Sequence, residues 1–143
     1  GEAFFSMDVT QALTLLKEKG YKYTGKREQM LQLFSDQKRY IAAKDVLEAM
    51  QNDYPGLSFD TIYRNLSTFV DLGILEMTEL DGEKKFRFTC AIDTHHHHMI
   101  CLACGKTKHI HLCPMDKLNE RDDFRIVGHK FEVYGYCQEC VTE

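Results

Sequence analysis

The sequence has no long hydrophobic run and no recognisable secretion signal. Hydrophobic residues make up 43% of its 143 residues but are dispersed, so no segment approaches the roughly 20 apolar residues of a transmembrane helix. The first residues lack the charged and apolar regions of a signal peptide, and we interpret residues 1–6 as an expression remnant before a native start at Met7. These absences predict a cytoplasmic protein with no membrane partner.

Motifs typical of zinc enzymes are also missing. The chain contains no His-Glu-x-x-His sequence, and Pro114 follows Cys113 without the second cysteine that a deaminase signature requires. A catalytic zinc needs an open coordination position and a nearby general base, and neither can be recognised here. The sequence therefore predicts no enzyme, no catalytic residue and no small-molecule substrate, with a zinc hydrolase as the remote alternative.

Four of the six cysteines form two Cys-x-x-Cys pairs in the last third of the chain. In a reducing compartment this spacing favours metal ligation, and disulfides across the pairs are the alternative in an oxidised sample. Four thiolates surround Zn²⁺ tetrahedrally and leave no open position, so such a site is structural. The predicted ligands are Cys101, Cys104, Cys137 and Cys140.

The first half of the chain carries apolar residues at helical spacing. Four such stripes precede Gly73, and Thr24 and Ser58 stand where the second and fourth helices need N-caps. After Gly73 the spacing of apolar residues changes to the two-residue period of strands. The two strand segments flank Asp81-Gly82, a strong signal for a hairpin turn. Helices followed by a tight hairpin predict a winged helix-turn-helix domain over residues 7–88.

The remainder of the chain is predicted to be a small α/β unit. Residues 89–94 form a short irregular hinge, and residues 95–143 contain strands near 97–103, 106–112 and 125–136 around a short helix near 115–122. The predicted fold class is therefore α+β, with a winged helix followed by this metal-binding unit.

The charge distribution favours nucleic acid as a partner, although the net charge is −4. Residues 17–44 carry a local charge of +5, which leaves −9 on the rest of the chain. A basic N-terminal segment can bind the phosphate backbone while the acidic remainder of the chain keeps the protein soluble. The predicted fourth helix turns polar residues outward, although an ordinary solvated surface is the alternative. The candidate DNA contacts are Lys22, Lys26, Arg27, Thr61, Tyr63 and Arg64.

Four consecutive histidines precede the first cysteine pair. Because side chains alternate along a strand, His95 and His97 share one face while His96 and His98 share the other. One strand can therefore serve two separate metal sites. The alternative is a solvated histidine cluster with no ligand role.

Other residues are needed to complete either site. Cys90, Glu76 and Glu79 are candidates for one site, and Asp116 and His129 for the other. A set of one carboxylate, one thiolate and two imidazoles suits Zn²⁺ better than Fe²⁺. Spacing does not rank three further candidates, which are His109, His111 and Cys113.

Three motifs in order resemble the Fur (ferric uptake regulator) family. They are the Ser-Phe-Asp-Thr-Ile-Tyr-Arg-Asn-Leu segment at 58–66, the His-x-His-x-x-Cys-x-x-Cys-Gly run at 96–105, and the His-x-x-Glu-x-Tyr-Gly-x-Cys-x-x-Cys segment at 129–140. The resemblance covers about residues 8 to 141. Within the family, Cys90 and the histidine run are similar to the zinc-sensing branch, Zur.

The resemblance implies a dimeric, zinc-responsive transcriptional repressor that binds palindromic operator DNA and controls zinc homeostasis genes. Residues 95–143 would be the dimerisation domain, and the cysteine quartet would hold structural zinc. Tyr63 and Arg64 match the family's DNA-contacting pair, and Lys22 matches its basic residue at the minor groove. The implied sensing ligands are Glu76, Cys90, His96 and His98. The implied ligands of an additional site are His95, His97, Asp116 and His129.

Departures from related branches refine this expectation. A peroxide sensor of the family would have aspartate where this chain has Arg87 and His109, which argues against that branch. The stretch from Cys90 to His95 is a residue longer than in some zinc-sensing relatives, so Asp93 is an alternative ligand to Cys90. An iron-responsive member of the family is the main alternative. A zinc-buffering protein is a remote one, because it would have no use for a winged helix.

Overall fold

The structure, a computed structural model, describes residues 5–6, 8–91, 97–110, 125–126 and 129–141. It divides into two compact units, Gly1–Ile92 and Asp93–Glu143, and each is described by itself. The division falls inside the predicted hinge. Among the residues described, no helix combines the length and apolar character needed to cross a membrane.

Four helices make up about half of the first unit. They are α1 (Val9–Glu18), α2 (Gly25–Gln37), α3 (Ala43–Met50) and α4 (Phe59–Asp71). Thr24 and Ser58 accept hydrogen bonds from backbone N–H groups in the first turns of α2 and α4, as predicted. These bonds satisfy donors that have no partner inside the helix, which is why the helices begin where they do.

The predicted hairpin follows α4. Strand β3 (Leu75–Leu80) pairs antiparallel with β4 (Glu83–Phe88), and the chain reverses at Asp81-Gly82. Both turn residues have positive φ, 52° at Asp81 and 79° at Gly82. This is the backbone of a type I′ turn, whose twist matches that of the flanking strands. Gly73, at φ 77°, makes the left-handed exit from α4.

Three two-residue strands were not predicted. Ile41–Ala42 (β2) pairs with β4 to make a sheet in the order β2-β4-β3, and Phe5–Ser6 (β1) pairs antiparallel with Cys90–Ala91 (β5). Segments this short show no alternation, so only tertiary pairing defines them. Residues 5 and 6, which we interpreted as part of an expression remnant, thus contribute to a sheet.

The core of the first unit lies between the helices and the wing sheet. Helix α4 buries Ile62, Leu66 and Phe69 completely against it. Phe34 of α2 contacts Phe88 of β4 edge to face, with ring centroids 6.4 Å apart. Because one face of α4 is committed to this core, its opposite face is left to solvent.

The second unit contains a three-stranded sheet with β6 (His97–Cys101) in the centre. Strand β7 (Thr107–Ile110) pairs with it antiparallel, and β8 (Glu132–Gly135) pairs with it parallel. In this register His98 stands opposite His109 on one side and Glu132 on the other. The helix predicted near 115–122 lies outside the described residues.

Two phenylalanines on α4 provide a test of this core. Phe69 is fully buried whereas Phe59 is 46% exposed, so Phe69→Ala should lower the free energy of unfolding by about 3–5 kcal/mol. Phe59→Ala, the matched control, should cost under about 1 kcal/mol. Urea unfolding followed by the helical circular dichroism signal measures both. Equal losses would contradict the assignment of α4's buried face.

Candidate metal centres and nucleic-acid interface

The two cysteine pairs meet at one end of the β6–β8 sheet. Cys101 is the last residue of β6, and it stands opposite Gly135 of β8 in a parallel register. Cys104 and Cys137 lie just beyond those strand ends, so the parallel pairing brings both pairs to the same edge. All four sulfur atoms lie within 4.8 Å of one another. The predicted quartet is therefore assembled by the fold.

The sulfur spacing fits a metal and not a disulfide. The Sγ atoms of Cys104 and Cys137 are 3.8 Å apart, and all four thiols are free. A disulfide would require about 2.05 Å. A tetrahedron with Zn–S bonds of about 2.3 Å places its sulfur atoms about 3.8 Å apart. The quartet can hold Zn²⁺, and a site closed by four thiolates offers no position for a substrate.

The electrostatics of the quartet also suit a bound cation. Burial would raise the pKa of the Cys101 thiol, but hydrogen bonds from the backbone of Cys137, Cys104 and Ala103 outweigh it and lower the pKa to about 6. At Cys140, hydrogen bonds with Cys137 and Cys104 raise the pKa to about 12. The Cys101 thiol thus ionises readily while the Cys140 thiol resists, chiefly because Cys140 shares hydrogen bonds with neighbouring cysteines. A bound divalent cation allows all four to ionise together.

The two described histidines of the run point to different partners. His97 and His98 are both buried, at 7% and 8% exposure. The His97 ring lies 5.1 Å from that of His129, while the His98 ring lies 5.1 Å from that of His109. The alternation expected of a strand is thus realised as two separate imidazole pairs.

The His97 pair has the spacing of two ligands of one ion. Its Nε2 atom lies 3.3 Å from Nε2 of His129. Two imidazole nitrogens bound to a tetrahedral Zn²⁺ at about 2.05 Å would be about 3.3 Å apart. His97 and His129 were both predicted for the additional site. The other two predicted ligands, His95 and Asp116, lie outside the described residues.

The predicted sensing ligands are distributed over both units. His98 lies on β6 of the second unit, and His96 is outside the described residues. In the first unit, the Glu76 carboxylate lies 3.6 Å from Nη1 of Arg87, and Cys90 lies on β5. The joint coordination of a metal by these four residues stays a prediction.

A candidate that the sequence left unranked, His109, lies beside His98. It stands opposite His98 across the β6–β7 pair, and Glu132 stands opposite His98 across the β6–β8 pair. Residues opposite each other in a ladder point to the same face. His109 could not be ranked from spacing because its position depends on the register. Two sequence signals pointed to it, the strand predicted near 106–112 and the aspartate that a peroxide sensor of the family would have at this position.

The predicted DNA-binding residues lie on α4, in the segment before α2 and in the first turn of α2. On α4, Tyr63 is 43% exposed, Arg64 is exposed and Thr61 is half-buried. Lys22 and Lys26 are also exposed. Arg27 differs from the others, since it is half-buried and its guanidinium donates hydrogen bonds to Asn65 and to the Lys22 carbonyl. The exposed side chains offer cations and an aromatic hydroxyl of the kinds that contact phosphates and base edges.

Together, a winged helix and a unit with clustered metal ligands define a metal-binding transcription factor. The chain belongs to the ferric uptake regulator family, which it matches over residues 18–134. Members of this family are metal-responsive, DNA-binding regulators that act on operators as dimers, and they are not enzymes. The predicted family and α+β fold are thereby confirmed, and the zinc-sensing branch is not specifically supported.

Proteins with high sequence similarity to this chain are named for iron. A ferric uptake regulation protein of Staphylococcus epidermidis is 52% identical over 137 residues, which is 94% of this chain and 96% of that protein. A protein of the same name from Staphylococcus aureus is also 52% identical, over 94% of this chain and 98% of its own.

Solved structures with the same fold are more distant in sequence. A zinc uptake regulator in complex with zinc and DNA has a TM-score of 0.68 and 22% identity, over 92% of this chain and 91% of its own. The Helicobacter pylori ferric uptake regulator Fur has a TM-score of 0.67 and 17% identity, over 95% of this chain and 96% of its own. At these identities the likeness shows the fold alone.

The cysteine quartet leads to a prediction about metal content. Cys101→Ser should remove about one zinc per chain and destabilise the second unit, because a structural zinc contributes about 10 kcal/mol or more to folding. Cys113→Ser, which changes a cysteine outside both pairs, is the matched control and should retain that zinc. Elemental analysis after dialysis against a weak chelator measures the difference. Equal zinc content in the two variants would exclude the quartet as the structural site.

Proposed function

We propose that this chain is a zinc-responsive transcriptional repressor that binds palindromic operator DNA as a homodimer and controls zinc homeostasis genes. The observation that carries zinc as the sensed metal is the chemistry around His98. Its neighbour across the ladder is a second imidazole, with ring centroids 5.1 Å apart. Together with the predicted thiolate of Cys90, nitrogen and sulfur donors favour Zn²⁺ over harder cations.

The repressor role rests on α4 as a recognition helix. Its buried face consists of Ile62, Leu66 and Phe69, which leaves Tyr63 and Arg64 on the opposite face. A recognition helix reads base edges in the major groove, and the symmetry of a dimer sets the spacing of two half-sites. The exposed Lys22 and Lys26 add phosphate contacts, which determine the salt dependence of binding.

Metal would act by restricting the DNA-binding domain relative to the dimerisation domain. The proposed ligands come from both, with Glu76 and Cys90 from the first and His96 and His98 from the second. His109 joins them on the evidence of its position beside His98. A shift of the binding-competent population by about 10⁴-fold requires about 5.5 kcal/mol of differential metal affinity. A multidentate site with imidazole and thiolate ligands can supply this amount.

Iron is the second candidate for the sensed metal. Two relatives at 52% identity, over most of both chains, carry the name ferric uptake regulation protein, and these names favour iron over zinc. The structure contains a matching feature, because Glu132 is on the same face as His98 and His109. Two imidazoles with a carboxylate are a donor set suited to Fe²⁺.

One titration separates the two metals. Operator affinity is measured over buffered free Zn²⁺ and, under anaerobic conditions, over buffered free Fe²⁺. Because a given site generally binds Zn²⁺ more tightly than Fe²⁺, each half-saturating concentration is compared with the free level of that metal in the cell. We expect zinc to restore full binding at its own cellular level and iron to require more than its own, and the reverse result would establish the iron candidate. Metal-independent binding would contradict both.

The same titration tests the position of the sensing site. His98→Ala should lose the metal response, because it removes a buried ligand. Lys108→Ala is the matched control, since Lys108 is an exposed neighbour of His109 on β7 and should behave as wild type. If His98→Ala also responds as wild type, this face of the sheet has no part in sensing.

The recognition helix leads to a separate prediction. Arg64→Ala should weaken operator binding by about 1–3 kcal/mol per half-site, because it removes an exposed contact to base or phosphate. The metal content should not change. Lys106→Ala, which removes an exposed positive charge in the second unit, is the control and should bind normally in fluorescence anisotropy. A loss of zinc in Arg64→Ala, or undiminished affinity, would contradict the assignment.

A further inference from the structure

Arg27 connects two parts of the first unit that carry proposed DNA contacts. Its Nε atom donates to Oδ1 of Asn65 on α4 at 3.0 Å. Its Nη1 atom donates to the backbone carbonyl of Lys22 at 2.6 Å. A single guanidinium therefore bonds both the recognition helix and the segment between α1 and α2.

Both partners of Arg27 are attached closely to a proposed DNA contact, so the bonds can hold Lys22 in place relative to α4. Asn65 follows Arg64 directly in the sequence, and its Nδ2 donates to the Thr61 carbonyl at 2.9 Å, so its amide is held against the backbone of α4. At the other end, the bond goes to the Lys22 backbone and leaves the exposed lysine side chain to reach outward. The Tyr21 ring, 5.6 Å from the Arg27 guanidinium, packs beside the same group.

The segment that Arg27 holds has no regular structure of its own. Residues 21–24 belong to no helix or strand, and α2 begins at Gly25. A loop in this situation keeps its shape through bonds to the surrounding scaffold. Arginine suits this task, because its planar group carries several donors in a fixed geometry, which a lysine ammonium does not.

We propose that Arg27 is a positioning residue for DNA recognition, which sets the distance from Lys22 to Arg64 and does not itself bind DNA. This inference rests on the proposed DNA-binding function and reassigns Arg27, which the sequence placed among the DNA contacts. Phosphate contacts determine the register of a protein on the duplex. A fixed distance between Lys22 and the recognition helix would allow backbone contact and base reading at the same time.

The charge-conserving substitution Arg27→Lys tests this role. A direct phosphate contact would largely survive it, because lysine also binds phosphate as a point charge. The two hydrogen bonds from Arg27 to Asn65 and to the Lys22 carbonyl would not survive the substitution. We therefore expect operator affinity to fall about tenfold, within the range seen for broken side-chain networks. Binding is measured with zinc-loaded dimer and the tightest-binding duplex selected from a random pool.

Salt dependence supplies a second readout. The slope of log K against log[salt] should fall in magnitude by about 0.9 for each phosphate that Lys22→Ala leaves unneutralised. Arg27→Ala should lower the slope by no more than Lys22→Ala does, and the double variant should lower it no further, whereas a direct phosphate contact by Arg27 would add a second loss. In addition, Lys22→Ala should cost much less affinity in the Arg27→Ala background than in wild type. A merely structural role for Arg27 would leave the cost of Lys22→Ala unchanged. Asn65→Ala should reproduce the coupling.

Gln29→Ala is the matched control for general loss of stability. It removes another hydrogen bond made by an α2 side chain, from Gln29 Nε2 to Asp53 Oδ2 at 2.7 Å, and should leave operator affinity unchanged. An equal affinity loss in this control would overturn the proposal. So would a wild-type affinity in Arg27→Lys, or additive effects of Lys22 and Arg27. Failure of the wild-type protein to bind any duplex would instead show that the proposed function is wrong, and this inference with it.

Discussion

The parallel pairing of β6 with β8 is the constraint on which the second unit depends. It joins segments about 35 residues apart and brings the ends of both strands to the same edge. Cys101 and Cys104 thereby meet Cys137 and Cys140 with their sulfur atoms within 4.8 Å. The same pairing places Glu132 beside His98. Metal bound at the quartet would in turn hold the two strand ends together, so the fold and the structural site stabilise each other.

Strand β6 also shows how one short segment can serve separate sites. Its two-residue period directs His97 toward His129 and His98 toward His109, on opposite faces of the sheet. The strand ends at Cys101, which belongs to the quartet. Candidate ligands of three proposed metal sites thus lie within five consecutive residues. A shift of the pairing by one residue would exchange the two histidine faces, so the register decides which imidazole lies beside each histidine.

In the first unit, hydrophobic burial and polar positioning act on the same helix. Burial of Ile62, Leu66 and Phe69 determines which face of α4 is exposed. Arg27 donates a hydrogen bond to Asn65 on the same helix. The guanidinium bonds connect the Lys22 segment to that helix, and they bury part of a charged group that is well paired. An ordinary surface arginine would not be held at both ends in this way.

Local signals in the chain were sufficient for much of the fold. Thr24 and Ser58 marked the helix starts, because a side-chain oxygen at an N-cap acts within one turn. Asp81-Gly82 marked the hairpin, because the turn needs residues that tolerate positive φ. The short strands Ile41–Ala42 and Phe5–Ser6 gave no comparable signal. They exist only through partners distant in the sequence.

The sequence by itself determined the family, the α+β class, the cysteine quartet and the division of the histidine run between two faces, because each depends on residue type and short-range spacing. Only the tertiary structure decided that His109 stands beside His98 and that Arg27 bonds α4 instead of projecting freely. Those relations depend on strand register and on the packing of one helix against a loop. Both are set by contacts between residues far apart in the chain, which no local pattern encodes.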